Sequence, residues 1–148
     1  MQIETKYFGM VDIDENAIVD FPEGLPGFEN EKRFILLSSG VEAAPFVWLQ
    51  SVENSELAFV MTDPMVLMEN YTVDVDDSEV EVLEVKDSKD VFIYSILVIP
   101  EDISKMTANL KAPILINSAS KKGKQVILDN EEYLVRHYVM NELKIVNK

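Results

Sequence analysis

Few residues of this chain could carry covalent or acid–base chemistry. His137 is the only histidine, and there is no cysteine, so thiolate nucleophiles, disulfides and cysteine-ligated zinc are excluded. A Ser–His–Asp arrangement would have to use His137, and no nucleophile-elbow motif surrounds any serine. Carboxylate pairs carry little weight in so acidic a chain. The sequence therefore predicts a protein that is not an enzyme, with no catalytic, metal-binding or cofactor-binding residues.

One short acidic motif has a spacing that is partly typical of a metal loop. It is Asp74-x-Asp76-Asp77. A calcium loop of the EF-hand type also needs a glycine at its sixth position and a bidentate glutamate at its twelfth, and both are missing here. Calcium binding is therefore disfavoured.

Charge is the strongest signal in the composition. The net charge is −14; residues 1–104 carry 23 acidic and five basic side chains, whereas residues 105–148 carry four and eight. Such a charge argues against direct nucleic-acid binding, because the phosphate backbone would be repelled. It suits a basic protein partner drawn in by electrostatic attraction, and solubility alone is the alternative explanation. We expect an electrically polar molecule unless folding interleaves the two parts.

The acidic side chains are concentrated in residues 69–90, which we call the acidic segment. It contains nine acidic residues, opposed only by Lys86 and Lys89. Its pattern is ambiguous between a strand and a short helix. We favour a helix at about 77–85, with Asp76 and Glu79 as a capping box.

The elements that would hold this segment in place are mainly strands. Apolar runs predict them at residues 33–38, 46–51, 57–62, 91–99, 114–116 and 125–128, after a β-meander in the first thirty residues. The run at 91–99 is apolar on both faces, so we expect it at the centre of the sheet. Trp48, the only tryptophan, is expected to be a core anchor rather than a partner contact.

Length and composition favour one domain spanning residues 1–148. Apolar residues make up 47% of the chain and charged residues 27%, which is typical of a globular protein. No apolar run approaches the roughly 20 residues of a membrane helix, and the first residues have no signal-peptide pattern. With no cysteine present, a cytoplasmic location is the simplest prediction.

Two segments have unusually restrictive local chemistry. Residues 21–29, the first signature, contain two prolines and two glycines among six positions, so they form neither a helix nor an internal strand. Phe21, Leu25 and Phe28 should anchor this loop to the core. In residues 109–117, the second signature, Pro113 suits the entry of a strand because it has no N–H. An asparagine at each end can hold a turn.

Together these two segments resemble the signatures of the flagellar assembly factor FliW. Between and after them, segments at 48–51, 57–59, 63–64, 125–128 and 133–137 occur in the order expected of that family, so the resemblance covers nearly the whole chain. The matching signature residues are Phe21, Pro22, Gly24, Leu25, Pro26, Gly27 and Phe28 in the first, and Asn109, Leu110, Lys111, Ala112, Pro113 and Asn117 in the second.

The resemblance implies a mainly β protein, a single-domain antiparallel β-barrel-like fold with one or two short helices, that is not an enzyme and has no cofactor. It implies two protein partners, flagellin and CsrA, and neither a direct nucleic-acid nor a membrane partner. On this resemblance, flagellin would be bound in the cytoplasm before export. CsrA is a basic dimer that binds mRNA and represses flagellin translation. Once flagellin is secreted, the free factor would remove CsrA from the message.

This resemblance gives the acidic segment a specific interpretation. We hypothesise that it supplies the charge that faces CsrA, since a surface that holds RNA is basic. The predicted partner-binding residues are Asp74, Asp76, Asp77, Glu79, Glu81 and Glu84. For flagellin we expect an apolar site or an exposed sheet edge.

Two other classes of function compete with this one. The first is a β-barrel that binds a small molecule in an interior pocket; an interior filled by side chains such as Trp48, Phe59 and Phe92 would count against it. The second is an enzyme with an unfamiliar site, which would have to use His137.

Overall fold

The computed structural model describes residues 1–38 and 46–139. Within these residues the regular structure is eleven strands and six 3₁₀ turns, with no α-helix. The strands are β1 (Gln2–Thr5), β2 (Gly9–Asp12), β3 (Val19–Asp20), β4 (Arg33–Leu37), β5 (Phe46–Ser51), β6 (Ala58–Thr62), β7 (Val91–Val98), β8 (Thr107–Ala108), β9 (Ile114–Asn117), β10 (Lys122–Gln125) and β11 (His137–Tyr138). The predicted mainly β fold is confirmed, and 3₁₀ turns stand where short helices were expected.

Seven of these strands form a nearly closed ring. Their order is β7, β6, β5, β4, β3, β10, β9 and back to β7. Every neighbouring pair is antiparallel except β3 and β10, which are parallel through the single pair Asp20 and Lys122. The antiparallel β-barrel-like sheet that we expected is therefore mixed, with this one parallel pair. A ring of seven strands cannot alternate in direction all the way round, so at least one pair must be parallel.

β7 has strand partners along both edges, as predicted for a strand that is apolar on both faces. One edge pairs with β6 through Met61 and Ile96, and the other pairs first with β9 and then with β8. β11 extends the sheet beyond β8, while β1 and β2 form a separate hairpin. That hairpin packs with β4 in a small isoleucine cluster that includes Ile3 and Ile35. Both edges of β7 therefore form hydrogen-bonded strand pairs.

The inside of the ring is filled by aliphatic and aromatic side chains. Residues directly opposed in an antiparallel pair share a face, as Leu36 and Leu49 do, and both belong to this cluster. Its buried members are Val19, Phe21, Leu25, Phe34, Leu49, Met61, Ile114 and Ile116. Of the aromatic residues whose burial inside the ring would count against a ligand pocket, Phe59 packs partly against the cluster, whereas Phe92 is half exposed. The filled interior counts against the small-molecule barrel.

Trp48 is not the core anchor that we predicted. It is half-buried, and its ring packs edge-on against Phe8 at a centroid distance of 5.2 Å. Leu49, its neighbour in β5, is the residue that enters the ring interior. Because successive side chains of a strand point to opposite faces, burying Leu49 leaves Trp48 outside.

A second buried cluster lies on the other face of β9. It includes Leu115, together with Leu83 of the acidic segment and Tyr71 and Tyr133. Leu115 belongs to this outer cluster while Ile114 and Ile116 belong to the inner one, as the two-residue period of a strand requires. Both faces of β9 are therefore covered, and the acidic segment is packed against the outer one.

Strand β10 begins earlier than the sequence pattern predicts. The apolar run predicted a strand at 125–128, but the strand is Lys122–Gln125. The preceding turn closes at Lys121, which has a positive φ of 60°. Gly123 lies opposite Ile116, so it shares the inner face of the ring, and the two flanking lysines point outward towards the acidic segment. Pairing with those acids allows lysines within the strand.

Tyr71 gives a prediction about stability at high pH. Its hydroxyl donates to the carbonyl oxygen of Leu110 at 2.7 Å, and its side chain is buried. Burial raises the pKa of Tyr71, and Tyr133 raises it further. The folded state therefore holds this proton more tightly than the unfolded state. Its contribution is complete below the unfolded pKa of about 10 and is lost as the pH rises above it.

We expect Tyr71→Phe to lower the free energy of unfolding at pH 7 by about 1–2 kcal/mol, because it leaves the Leu110 carbonyl without this donor. Urea unfolding between pH 7 and 11 should show a shallower decline above pH 10 for the variant. Tyr7→Phe, at an exposed tyrosine, controls for loss of a surface hydroxyl. A Tyr71→Phe profile as steep as that of the wild type would contradict the assignment.

Candidate functional site

The first signature is a loop packed onto the end of the ring. Phe21 and Leu25 are buried within the inner cluster, and Phe28 lies edge-on to Phe59 at 5.6 Å. Gly24 has a φ of +67°, and a Cβ there would lie 2.5 Å from the carbonyl oxygen of Glu29. The predicted anchoring is confirmed for Phe21 and Leu25, whereas Phe28 is 41% exposed and has Phe59 as its aromatic contact. The backbone at Gly24 leaves no room for a side chain.

The second signature has the turns that its asparagines predict. The Oδ1 of Asn109 accepts from the backbone N–H of Ala112 at 2.9 Å, and the Oδ1 of Asn117 accepts from that of Ala119 at 3.0 Å. Pro113 directly precedes β9, which begins at Ile114. The strand is therefore fixed at its entry and at its exit.

Asn117 also holds the acidic segment in place. It is buried, and its Nδ2 donates to the carbonyl oxygens of Leu83 at 2.8 Å and Glu84 at 3.3 Å. The hydroxyl of Ser120 donates to the same Leu83 carbonyl at 2.8 Å. These contacts fix Glu84, whose φ of 55° is in the left-handed region and ends a 3₁₀ turn. A residue of the second signature thus sets the shape of the acidic segment.

The acidic segment is neither an α-helix nor a strand at 77–85. It forms two successive 3₁₀ turns, Asp77–Glu79 and Glu81–Leu83. Asp76 stands before the first turn without a side-chain capping bond, so the predicted capping box is absent. Val80 and Leu83, three residues apart, both pack against the outer cluster. The β-branched valines of this stretch and the left-handed Glu84 disfavour a continuous helix.

Two lysines of β10 neutralise part of the acidic segment. The Nζ of Lys124 donates to the backbone carbonyl of Glu79 at 2.6 Å and lies 3.8 Å and 3.7 Å from the carboxylates of Glu79 and Glu23. Lys122 pairs with Glu84 at 3.7 Å. Folding therefore interleaves the acidic and basic parts of the chain at this point, and Lys124 links the acidic segment to the first signature.

Four of the six predicted partner-binding residues keep carboxylates without an internal counter-ion. In the part of the chain that the structure describes, no ion pair is formed by the exposed residues Asp74, Asp76, Asp77 and Glu81. Exposed charges of this kind act mainly on the approach of a charged partner. The negative potential of the segment is thus reduced but retained.

The structure divides the six predicted residues between two clefts on either side of the segment. Asp74, Asp76 and Glu79 line a cleft of about 520 Å³ that also includes Asp129 and the exposed Ile127. The other three residues, Asp77, Glu81 and Glu84, line a second cleft of about 620 Å³. The six residues therefore share one segment but form the walls of two adjacent depressions.

A third cleft is apolar and was not expected from the sequence. It has a volume of about 600 Å³ and is lined by Tyr7, Phe8, Trp48 and Ile99, among others. Tyr7 and Ile99 are exposed. The one signal that could have indicated it was Trp48, for which partner contact was the less favoured interpretation.

The described residues offer no other obvious kind of site. Across residues 1–38 and 46–139, no group of three or more histidine, aspartate or glutamate side chains could hold a metal ion. The helices in these ranges are single 3₁₀ turns, and none has the length and apolar character needed to cross a bilayer.

Comparison with known proteins gives one consistent result. The model of the FliW protein family matches residues 2–139. The flagellar assembly factor FliW of Thermoanaerobacter pseudethanolicus is 47% identical over 144 residues, which cover 97% of this chain and 96% of the relative. The FliW of Caldanaerobacter subterraneus subsp. tengcongensis is 44% identical over 144 residues, with the same coverage. A crystal structure of the flagellar assembly factor FliW matches with a TM-score of 0.86 and 42% identity, covering 93% of this chain and 96% of that one.

Proposed function

Since the chain belongs to the FliW family of flagellar assembly factors, we propose that it binds flagellin in the cytoplasm and, when free, binds and antagonises CsrA. Release of CsrA from the flagellin message would relieve repression of flagellin translation. The family is one of non-enzymatic assembly factors, in agreement with the prediction that this chain is not an enzyme. We treat residues 1–148 as one such domain.

The observation that supports the CsrA part of this proposal is the set of exposed, unpaired carboxylates on the acidic segment. A regulator that binds RNA presents a basic surface, and these carboxylates complement it. Asn117 and Lys124 hold the segment through short hydrogen bonds to its backbone. A surface that is already ordered loses little conformational entropy on binding.

The apolar cleft supports the flagellin part. Aromatic side chains that are partly exposed and partly packed are typical of residues that contribute strongly to protein–protein binding. Trp48 and Phe8 pack against each other in this cleft, and Tyr7 is exposed beside them. The proposal therefore assigns an apolar segment of flagellin to this cleft.

Native mass spectrometry of the protein mixed with flagellin, with CsrA and with both tests the proposal. We expect a complex with each partner alone and, in the three-component mixture, replacement of CsrA by flagellin. If the protein binds neither flagellin nor CsrA, the proposed function is wrong. A ternary complex would contradict mutually exclusive occupancy while leaving both binding activities in place.

A further inference from the structure

The cleft lined by Asp77, Glu81 and Glu84 has an apolar floor. Valine side chains from the acidic segment and from β7 line it, and Leu115 of β9 closes it from below. The valines are Val73, Val80, Val85 and Val91. Val73, Val80 and Val91 are partly buried against the outer cluster, but Val85 is 39% exposed. The cleft therefore offers exposed aliphatic surface within the most acidic part of the molecule.

The rim of this cleft is negatively charged. Asp77, Glu81 and Glu84 are all exposed. Only Glu84 has a counter-ion, Lys122, among the described residues. An aliphatic floor with two unpaired carboxylates above it complements one particular chemistry, which is an aliphatic side chain with lysine or arginine on either side. A purely apolar or an acidic segment would leave these carboxylates desolvated and unpaired.

The cleft is also formed without a partner. Its rim turns at Glu84, in a left-handed conformation held by the Asn117 side-chain amide and supported by Ser120 through the Leu83 carbonyl. Its floor is part of the buried core. A partner would not have to order these residues, which lowers the cost of binding.

We propose that this cleft is the docking surface for an aliphatic side chain of a basic protein segment, and that the aliphatic contact sets how long the complex lasts. The inference rests on the proposed function, in which CsrA is the basic partner. The carboxylates of the segment act over distance on the association rate, whereas the contact with Val85 exists only in the bound state. The two effects are separable by experiment.

The test is the substitution Val85→Ser, with Val98→Ser as the matched control. Both valines are exposed, and Val98 lies at the opposite end of β7 from the Val91 that lines the cleft. Seven residue-to-residue steps along the strand separate these ends, which is roughly 23 Å at about 3.3 Å per step. We expect Val85→Ser to weaken binding to purified CsrA about fivefold to tenfold, through faster dissociation, without changing the salt dependence. Val98→Ser should leave both unchanged.

Association and dissociation rates should be measured by biolayer interferometry at two salt concentrations, with circular dichroism to show that each variant is folded. If the wild type binds CsrA and Val85→Ser binds equally well, the proposal that this cleft is the docking surface is wrong, and the proposed function is unaffected. If Val98→Ser weakens binding as much as Val85→Ser, the binding contact is not specific to this cleft and the proposal is wrong. If the wild type does not bind CsrA, both the proposed function and the proposed docking surface are contradicted.

Discussion

Replacing Phe21 by alanine is expected to lower the free energy of unfolding by about 3–5 kcal/mol, the range for a fully buried phenylalanine. The Phe21 side chain is entirely buried inside the ring and packs edge-on against Phe34 at a centroid distance of 5.2 Å. The ring is filled by close-packed side chains, so its neighbours can collapse only partly into the space left behind. Urea unfolding monitored by tryptophan fluorescence measures the loss.

Phe28→Ala is the matched control for this prediction. Phe28 belongs to the same signature but is 41% exposed, with Phe59 as its aromatic contact. Its removal should cost less than half as much, because less apolar surface is returned to water. Equal losses for Phe21→Ala and Phe28→Ala would contradict the placement of Phe21 in the ring interior.

Gly123 provides an independent check on the position of the Phe21 ring. A Cβ at Gly123 would lie 2.5 Å from the Cζ atom of Phe21. Gly123→Ala alone should therefore cost about 1–3 kcal/mol, the usual range for overpacking. The smaller side chain in Phe21→Leu relieves that contact, so the double variant should lose less stability than the two single losses combined. Strict additivity would show that the two positions do not touch.

Local pattern was enough to predict the strands whose residues alternate. In β9, Pro113 has no N–H and stands at the entry, and Ile114 and Leu115 go to opposite clusters. The length and apolar character of residues 91–99 predicted a central strand, and β7 has partners on both edges. In each case the information lies within a few neighbouring residues.

Closure of the ring could not be predicted in this way. A ring with an odd number of strands must contain a parallel pair, and no single segment encodes that number or places the pair between β3 and β10. The start of β10 was missed for a related reason. A Lys-Gly-Lys sequence is typical of an exposed turn, and Lys124 becomes largely buried only because Glu79 and Glu23 lie above it. Those partners are 45 and 101 residues earlier in the chain.

The candidate site was predicted in composition but not in shape. The concentration of acids in residues 69–90 was visible in the sequence, and the structure keeps it on the surface. Its division into two clefts depends on Asn117, whose amide reaches the carbonyl of Leu83 across 34 positions of the chain. Asparagine at the end of a strand predicts a local turn. Nothing in its type or spacing predicts a second role at such a distance.

Neutralising five acids of the segment should slow association with CsrA by about tenfold or more at low salt. The variant carries Asp74→Asn, Asp76→Asn, Asp77→Asn, Glu79→Gln and Glu81→Gln, which changes the net charge from −14 to −9. Four of these five carboxylates have no ion pair among the described residues, so their removal weakens the field without breaking an internal contact. Only Glu79 also faces Lys124, which keeps Glu23 as a counter-ion.

The matched control places the same change of charge elsewhere. It neutralises five exposed acids outside the segment that form no ion pair among the described residues: Glu4, Glu15, Asp20, Glu56 and Glu101. Both variants have the same net charge, so a difference between them reports where the charge lies. We expect the segment variant to lose most of the salt dependence of association while the control retains it, because screening acts on the charges that face the partner. Unchanged affinity and salt dependence in the segment variant would show that CsrA does not approach this surface.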